Sequence, residues 1–185
     1  MNIVLIGYRG TGKTVVGKRL AQKLHRPFYD TDTLIEKREQ TTIADMVKTG
    51  GWTFFRKVEK DIIRELSETR SSVIATGGGA VMDKQNVSCL NETGVFVLLT
   101  ADPHVLVQRI LADQTSTEKR PPLSDGTVYE EMQTLLTQRM PTYQKIAQFS
   151  VDTTGLTVDE VVAQIVNGVK PDRQRTNFDI KDKEQ

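Results

Sequence analysis

The stretch NIVLIGYRGTGKT, residues 2–14, carries the pattern that decides the fold. Ile3, Val4, Leu5 and Ile6 form a run too continuously apolar for an exposed surface, so it reads as a buried parallel strand. Residues 7–14 then fit G-x-x-x-x-G-K-[ST], and Val16, Leu20 and Leu24 follow at four-residue spacing, marking one apolar face of a helix. Gly7, Gly10 and Gly12 permit positive φ and leave backbone N–H groups uncovered. A loop of that kind can wrap an anion that also meets the positive end of the helix dipole. The space kept free is therefore for phosphates, bound by the backbone of Gly10, Thr11 and Gly12. Lys13 is placed to reach the β and γ phosphates, and the Thr14 hydroxyl to ligate the magnesium that accompanies them. A polyphosphate accompanied by Mg2+ is the ligand this pattern implies.

Working outward, 185 residues fit one domain able to bury a core. Lysine and arginine number 25 against 24 aspartates and glutamates, which leaves no global positive field of the kind nucleic-acid binders carry. The single cysteine, Cys89, excludes an internal disulfide and a multi-cysteine zinc site, and fits a reduced, cytoplasmic setting. No secretory pattern opens the chain and no apolar run approaches a bilayer span, so a soluble protein with no membrane partner is expected. Residues 171–185 are mostly charged or polar and read as a loose extension of a domain covering 1–170.

Further apolar runs at 27–29, 72–75, 94–99 and 149–151 read as strands, and helical patterns lie at 43–46, 58–66, 105–111, 132–140 and 158–169. Strands alternating with helices predict an α/β fold: a five-stranded parallel sheet flanked by helices, a three-layer sandwich of the P-loop NTPase type. Asp102-Pro103 supplies an N-cap and a first-turn proline, and Thr157 with Glu160 a capping box. Ligands on such sheets sit beyond the carboxyl ends of the strands, so the residues there are the ones to read for chemistry.

After the second strand come Asp30 and Asp32, which would share a face of an extended segment. Beside a magnesium nucleotide one can hold the metal while the other accepts a hydrogen bond or proton from an attacking hydroxyl; Asp32 also suits a helix N-cap. After the third strand stand Gly77, Gly78 and Gly79, costly in backbone entropy and suited either to close approach of a ligand or to a tight turn. Arg56 in FFRKVE, Arg120 in EKRPPLSDG and Arg139 in QRMPTY lie in suggestive surroundings. The polar, Pro-containing segment 113–126 suits a lid that brings Arg120 onto a transferring phosphate. His25, His104, Cys89 and Trp52 read as structural, with Cys89 following a helix.

Over residues 1–170 this constellation resembles the shikimate kinase family, in GYRGTGKT, the DTD at Asp30 to Asp32, FFRKVE, TGGGAV, RPPL and QRMPTY. The resemblance implies transfer of the γ-phosphoryl group of ATP to the 3-hydroxyl of shikimate, a step of aromatic amino-acid biosynthesis, by a cytoplasmic monomer. It implies Lys13, Asp32 and Arg120 as the catalytic groups, Thr14 and Asp30 at the metal, and Arg56 and Arg139 as a clamp on the shikimate carboxylate. Asp32 would contact shikimate hydroxyls, Gly78 and Gly79 would present backbone amides, and Arg109 would lie against adenine. A planar carboxylate is matched by the fork of a guanidinium, which supports the clamp on independent grounds. The chain departs from many relatives at Gly50-Gly51-Trp52, where they carry an acidic residue. Two alternatives stay open: another small-metabolite kinase of this fold, such as a gluconate kinase, and a catalytically silent nucleotide-binding regulator.

Overall fold

Five strands pair in parallel in the computed structural model, which describes residues 1–112 and 128–169. They are β1 (Asn2–Ile6), β2 (Phe28–Asp30), β3 (Val73–Ala75), β4 (Gly94–Thr100) and β5 (Phe149–Asp152), ordered β2-β3-β1-β4-β5 across the sheet. β1 lies at the centre, with Val4 in register with Ile74 on one side and Phe96 on the other. Every residue of β1 is buried, which is why Ile3 to Ile6 form a continuous apolar run and not an alternating one.

Helices α1 (Lys13–Leu24), α2 (Thr31–Glu39), α3 (Ile43–Ser67), α4 (Lys84–Asn91), α5 (Pro103–Ala112), α6 (Val128–Ile146) and α7 (Val158–Gly168) cover both faces. Side-chain alternation along the strands divides the core in two. Ile3, Leu5, Val97 and Leu99 pack with Val16 and Leu20 of α1 and Val161, Val162 and Ile165 of α7. Val4, Ile6, Phe96 and Leu98 face the other way, against Ile35, Phe55, Ile63, Leu90 and Tyr143. A smaller cluster of Tyr8, Leu106, Ile110 and Met132 joins the loop after β1 to α5 and α6. The three-layer α/β sandwich expected from the sequence is the fold.

The helical patterns at 43–46 and 58–66 fall on the two helical parts of α3, which meet at a kink at Gly51, whose φ of 71° and ψ of 173° are not helical. Positive φ at that position favours glycine. Some expectations are corrected. Asp32 is not an N-cap: α2 begins at Thr31, and the Asp30 carboxylate accepts hydrogen bonds from the backbone N–H of Asp32 (3.1 Å) and Thr33 (3.3 Å). The two aspartates therefore do not lie on one extended segment; Asp30 ends the strand and Asp32 stands in the first turn of the helix. Cys89 lies within α4, not after a helix. The capping signals hold, with Asp102 accepting from His104 N–H at 2.8 Å and Thr157 and Glu160 capping each other. The lid at 113–126, Arg120 within it and the tail at 171–185 lie outside the described residues.

Candidate active site

The loop between β1 and α1 is shaped by backbone constraints. Gly7 adopts φ 138°, and a Cβ there would also overlap the Leu99 carbonyl of β4. Two side chains fold over the same turn: Lys13 Nζ and Thr11 Oγ1 each donate to the Tyr8 carbonyl at 2.8 Å. At the start of α1 the Thr14 hydroxyl donates to Asp30 Oδ2 at 2.7 Å. A hydroxyl from the loop and a carboxylate oxygen from the end of β2 thus meet beside the phosphate cradle. Among the described residues no three His, Cys, Asp or Glu side chains gather into a metal cage. That donor set fits magnesium, which is commonly held by one or two side chains while waters and substrate phosphates complete its octahedron.

Beside the loop opens a cleft. Asp32, Arg56, Gly77, Gly78, Gly79 and Arg139 all line it, as do Tyr8 and Arg9 of the loop. The structure thus brings together side chains from α2, α3 and α6 with the turn after β3. Arg56 Nη1 donates to Glu59 Oε2 at 2.5 Å, and its guanidinium lies 5.0 Å from the Phe55 ring centroid and 5.7 Å from that of Trp52. Its side chain remains 36% exposed, so it is held on one side and available on the other. Glu59 beneath it is buried, and burial pushes its carboxyl above the usual glutamate range against the opposing pull of Arg56.

The three glycines have a reason the sequence did not disclose. A Cβ at Gly79 would overlap the Arg56 guanidinium, and one at Gly77 would stand 2.8 Å from Asp32 Oδ1 and 3.1 Å from Glu59 Oε1. The turn is small because the cleft's own charged side chains lie against it, so each can approach the space a ligand would fill. Gly77 N–H is held by the Thr31 hydroxyl at 2.8 Å, and the Tyr143 hydroxyl donates to the Gly78 carbonyl. A Cβ on Gly78 would sit 3.6 Å from Arg139 Nη1.

Arg109 stands apart from this cleft, pinned to the nucleotide side. Its Nη1 donates to Thr153 Oγ1 (2.9 Å) and the Gly10 carbonyl (3.3 Å), and its Nη2 to the Thr153 carbonyl (3.0 Å). Sequence reasoning passed over Glu59, Tyr143, Arg9 and Glu131. Glu59 and Tyr143 had a signal, being three and four residues beyond the clamp arginines and hence on the same helical faces. Trp52, expected to be packing, both packs on the core and lines the cleft.

A shikimate kinase family model matches residues 9–170. A shikimate kinase of Syntrophus aciditrophicus is 47% identical over 180 residues, covering 93% of this chain and 92% of the relative. The solved structure of a shikimate kinase from Acinetobacter baumannii, in complex with shikimate, superposes with a TM-score of 0.84 at 32% identity over 90% of each chain. A gluconokinase from Sinorhizobium meliloti superposes with a TM-score of 0.58 at 20% identity over 90% of each chain, which is a likeness of fold alone.

Proposed function

The chain belongs to the shikimate kinase family, and on that premise we propose how its residues divide the reaction. It is an ATP-dependent kinase that transfers the γ-phosphoryl group of ATP to the 3-hydroxyl of shikimate, giving shikimate 3-phosphate and ADP. The backbone of Gly10, Thr11 and Gly12 binds the phosphates, and Lys13 swings from the Tyr8 carbonyl to the β and γ oxygens. Thr14 and Asp30 would hold Mg2+, which would supply neutralisation of the charge that develops in the transfer. Arg109, fixed beside Gly10, stacks on the adenine. Asp32 orients the acceptor hydroxyl and takes up its proton, while Arg56 and Arg139 grip the carboxylate at the other end of the ring and the amides of Gly78 and Gly79 complete the seat. Arg120, outside the described residues, reaches the γ-phosphate from the 113–126 segment.

The observation that carries this reading is the convergence of Asp32, Arg56 and Arg139 on one cleft that the phosphate loop also borders. Phosphoryl transfer has little covalent chemistry for a protein to perform, so fixing acceptor and donor side by side is most of the task. Glu59 supports the clamp by holding Arg56 in place. The reading takes the protein as a monomer; the single cysteine supports a cytoplasmic setting, and no described helix is long and apolar enough to cross a membrane. The catalytic domain is residues 1–170, with 171–185 dispensable. A coupled ADP-release assay over shikimate, quinate, gluconate and nucleoside monophosphates tests the reading: turnover is expected with shikimate, and preference for gluconate or a nucleotide would overturn it.

A further inference from the structure

Three polar residues of the cleft have no part in that division of labour. Tyr8 and Arg9 occupy variable positions of the phosphate loop, and Glu131 lies in the first turn of α6. Arg9 Nη2 is 3.6 Å from Glu131 Oε1, and the two side chains are only 15% and 6% exposed. An ion pair at that separation lies beyond the hydrogen-bonding range of about 2.7–3.2 Å. A nearly buried pair on the wall of the cleft whose N–H and carboxylate oxygen face each other beyond hydrogen-bonding range leaves room for a ligand atom to join them.

We propose that Arg9 and Glu131 together bind a hydroxyl group of the acceptor other than the one that receives the phosphoryl group. The pair offers a donor and an acceptor to one point in space. An oxygen about 2.9 Å from a guanidinium nitrogen and about 2.7 Å from a carboxylate oxygen closes a triangle on the observed 3.6 Å gap. A hydroxyl alone among simple substituents both accepts and donates there. A phosphate or carboxylate would meet Arg9 well but be repelled by the nearly buried Glu131, and an ammonium would be repelled by Arg9. Glu131 also stands two helical turns before Arg139 on α6, so the bridged hydroxyl ties the phosphate loop to the helix that carries half of the carboxylate clamp.

This subsite rests on the shikimate kinase reading, and the test separates the two. Dissociation constants for shikimate, 4-deoxyshikimate and 5-deoxyshikimate are measured by calorimetry for the full-length wild type, Arg9→Met and Glu131→Gln, with circular dichroism and MgATP binding as controls for folding. Arg9→Met keeps the apolar stem, and Glu131→Gln keeps the shape; the two lie on different elements, so a folding defect in one leaves the other informative. Each variant is expected to bind shikimate about tenfold more weakly with MgATP affinity unchanged within about twofold. For one of the two deoxy analogues, wild type and variants should bind alike, because the contact is already gone. Equal weakening toward shikimate and both analogues, or no weakening at all, would overturn the subsite. Wild-type protein that neither binds nor phosphorylates shikimate would overturn the kinase reading, and the subsite with it.

Discussion

In the phosphate loop the proposed working groups, the amides of Gly10, Thr11 and Gly12 and the side chains of Lys13 and Thr14, come from one contiguous stretch; in the adjoining cleft they are drawn from α2, α3, the turn after β3 and α6. The loop's shape follows from where glycine permits positive φ, a property written into one contiguous stretch. The cleft's shape follows from packing between segments more than fifty residues apart, as where Gly78 meets Tyr143 and Arg139. A site of the first kind announces its chemistry locally; one of the second kind sets specificity and is assembled only when the sheet forms.

Substitutions in the two regions should therefore fail differently, the loop in turnover and the cleft in acceptor affinity. Lys13→Ala should lower kcat about a thousandfold, because it removes charge stabilisation made in the transition state, while the melting temperature moves by no more than a few degrees. Steady-state kinetics beside a thermal melt check both halves; an effect confined to shikimate KM would erase the distinction between the regions. Gly79→Ala should act in the opposite way. Its methyl group displaces the Arg56 guanidinium, raising shikimate KM about thirtyfold or more with ATP KM nearly unchanged. Arg139→Lys keeps the charge but loses the bidentate fork, so shikimate KM should rise about tenfold and ATP KM less than about twofold. Equal losses for both ligands would make Arg139 a general electrostatic group.

Asp30→Asn sharpens the comparison at the border between the regions. Asparagine caps a helix about as well as aspartate, so stability should hold while the MgATP requirement rises a few fold, read from KM at varied magnesium. The smallest effect concerns Glu59, whose carboxyl is raised by burial. The folded protein holds that proton more tightly than the unfolded chain does, so stability falls as pH rises from the ordinary glutamate value through the raised one. Glu59→Gln lacks the titrating group and should show a flatter stability profile across that window in denaturant titrations; an unchanged slope would mean that Arg56 fully offsets the burial.

The contrast also explains what could be read from the sequence. β1, the loop and α1 were legible because strand, glycines and apolar spacing are local, and the sheet followed from alternating elements. The two helical parts of α3 were legible as separate patterns, because Gly51 at φ 71° and ψ 173° breaks the helix between them. Asp30 and Asp32 were placed on one extended face because a strand boundary cannot be fixed to one residue by pattern alone, and the cap at Asp30 moved Asp32 into the next element. The clamp arginines carried no local mark of their own and were assigned through the family resemblance. Glu59, Arg9 and Glu131 escaped because burial of a charge is a property of the assembled cleft, and the reason for three glycines was equally invisible before the side chains lying on them were known.

The division between a nucleotide loop and a carboxylate clamp is tested most directly by comparing shikimate with its methyl ester as acceptors for the wild-type protein under saturating MgATP. The ester keeps the ring and all hydroxyls but offers no charged fork to Arg56 and Arg139. The expected result is a fall of about a hundredfold in kcat/KM for the ester, carried mainly by KM, with ATP KM unchanged. Comparable kcat/KM for the two acceptors would contradict it.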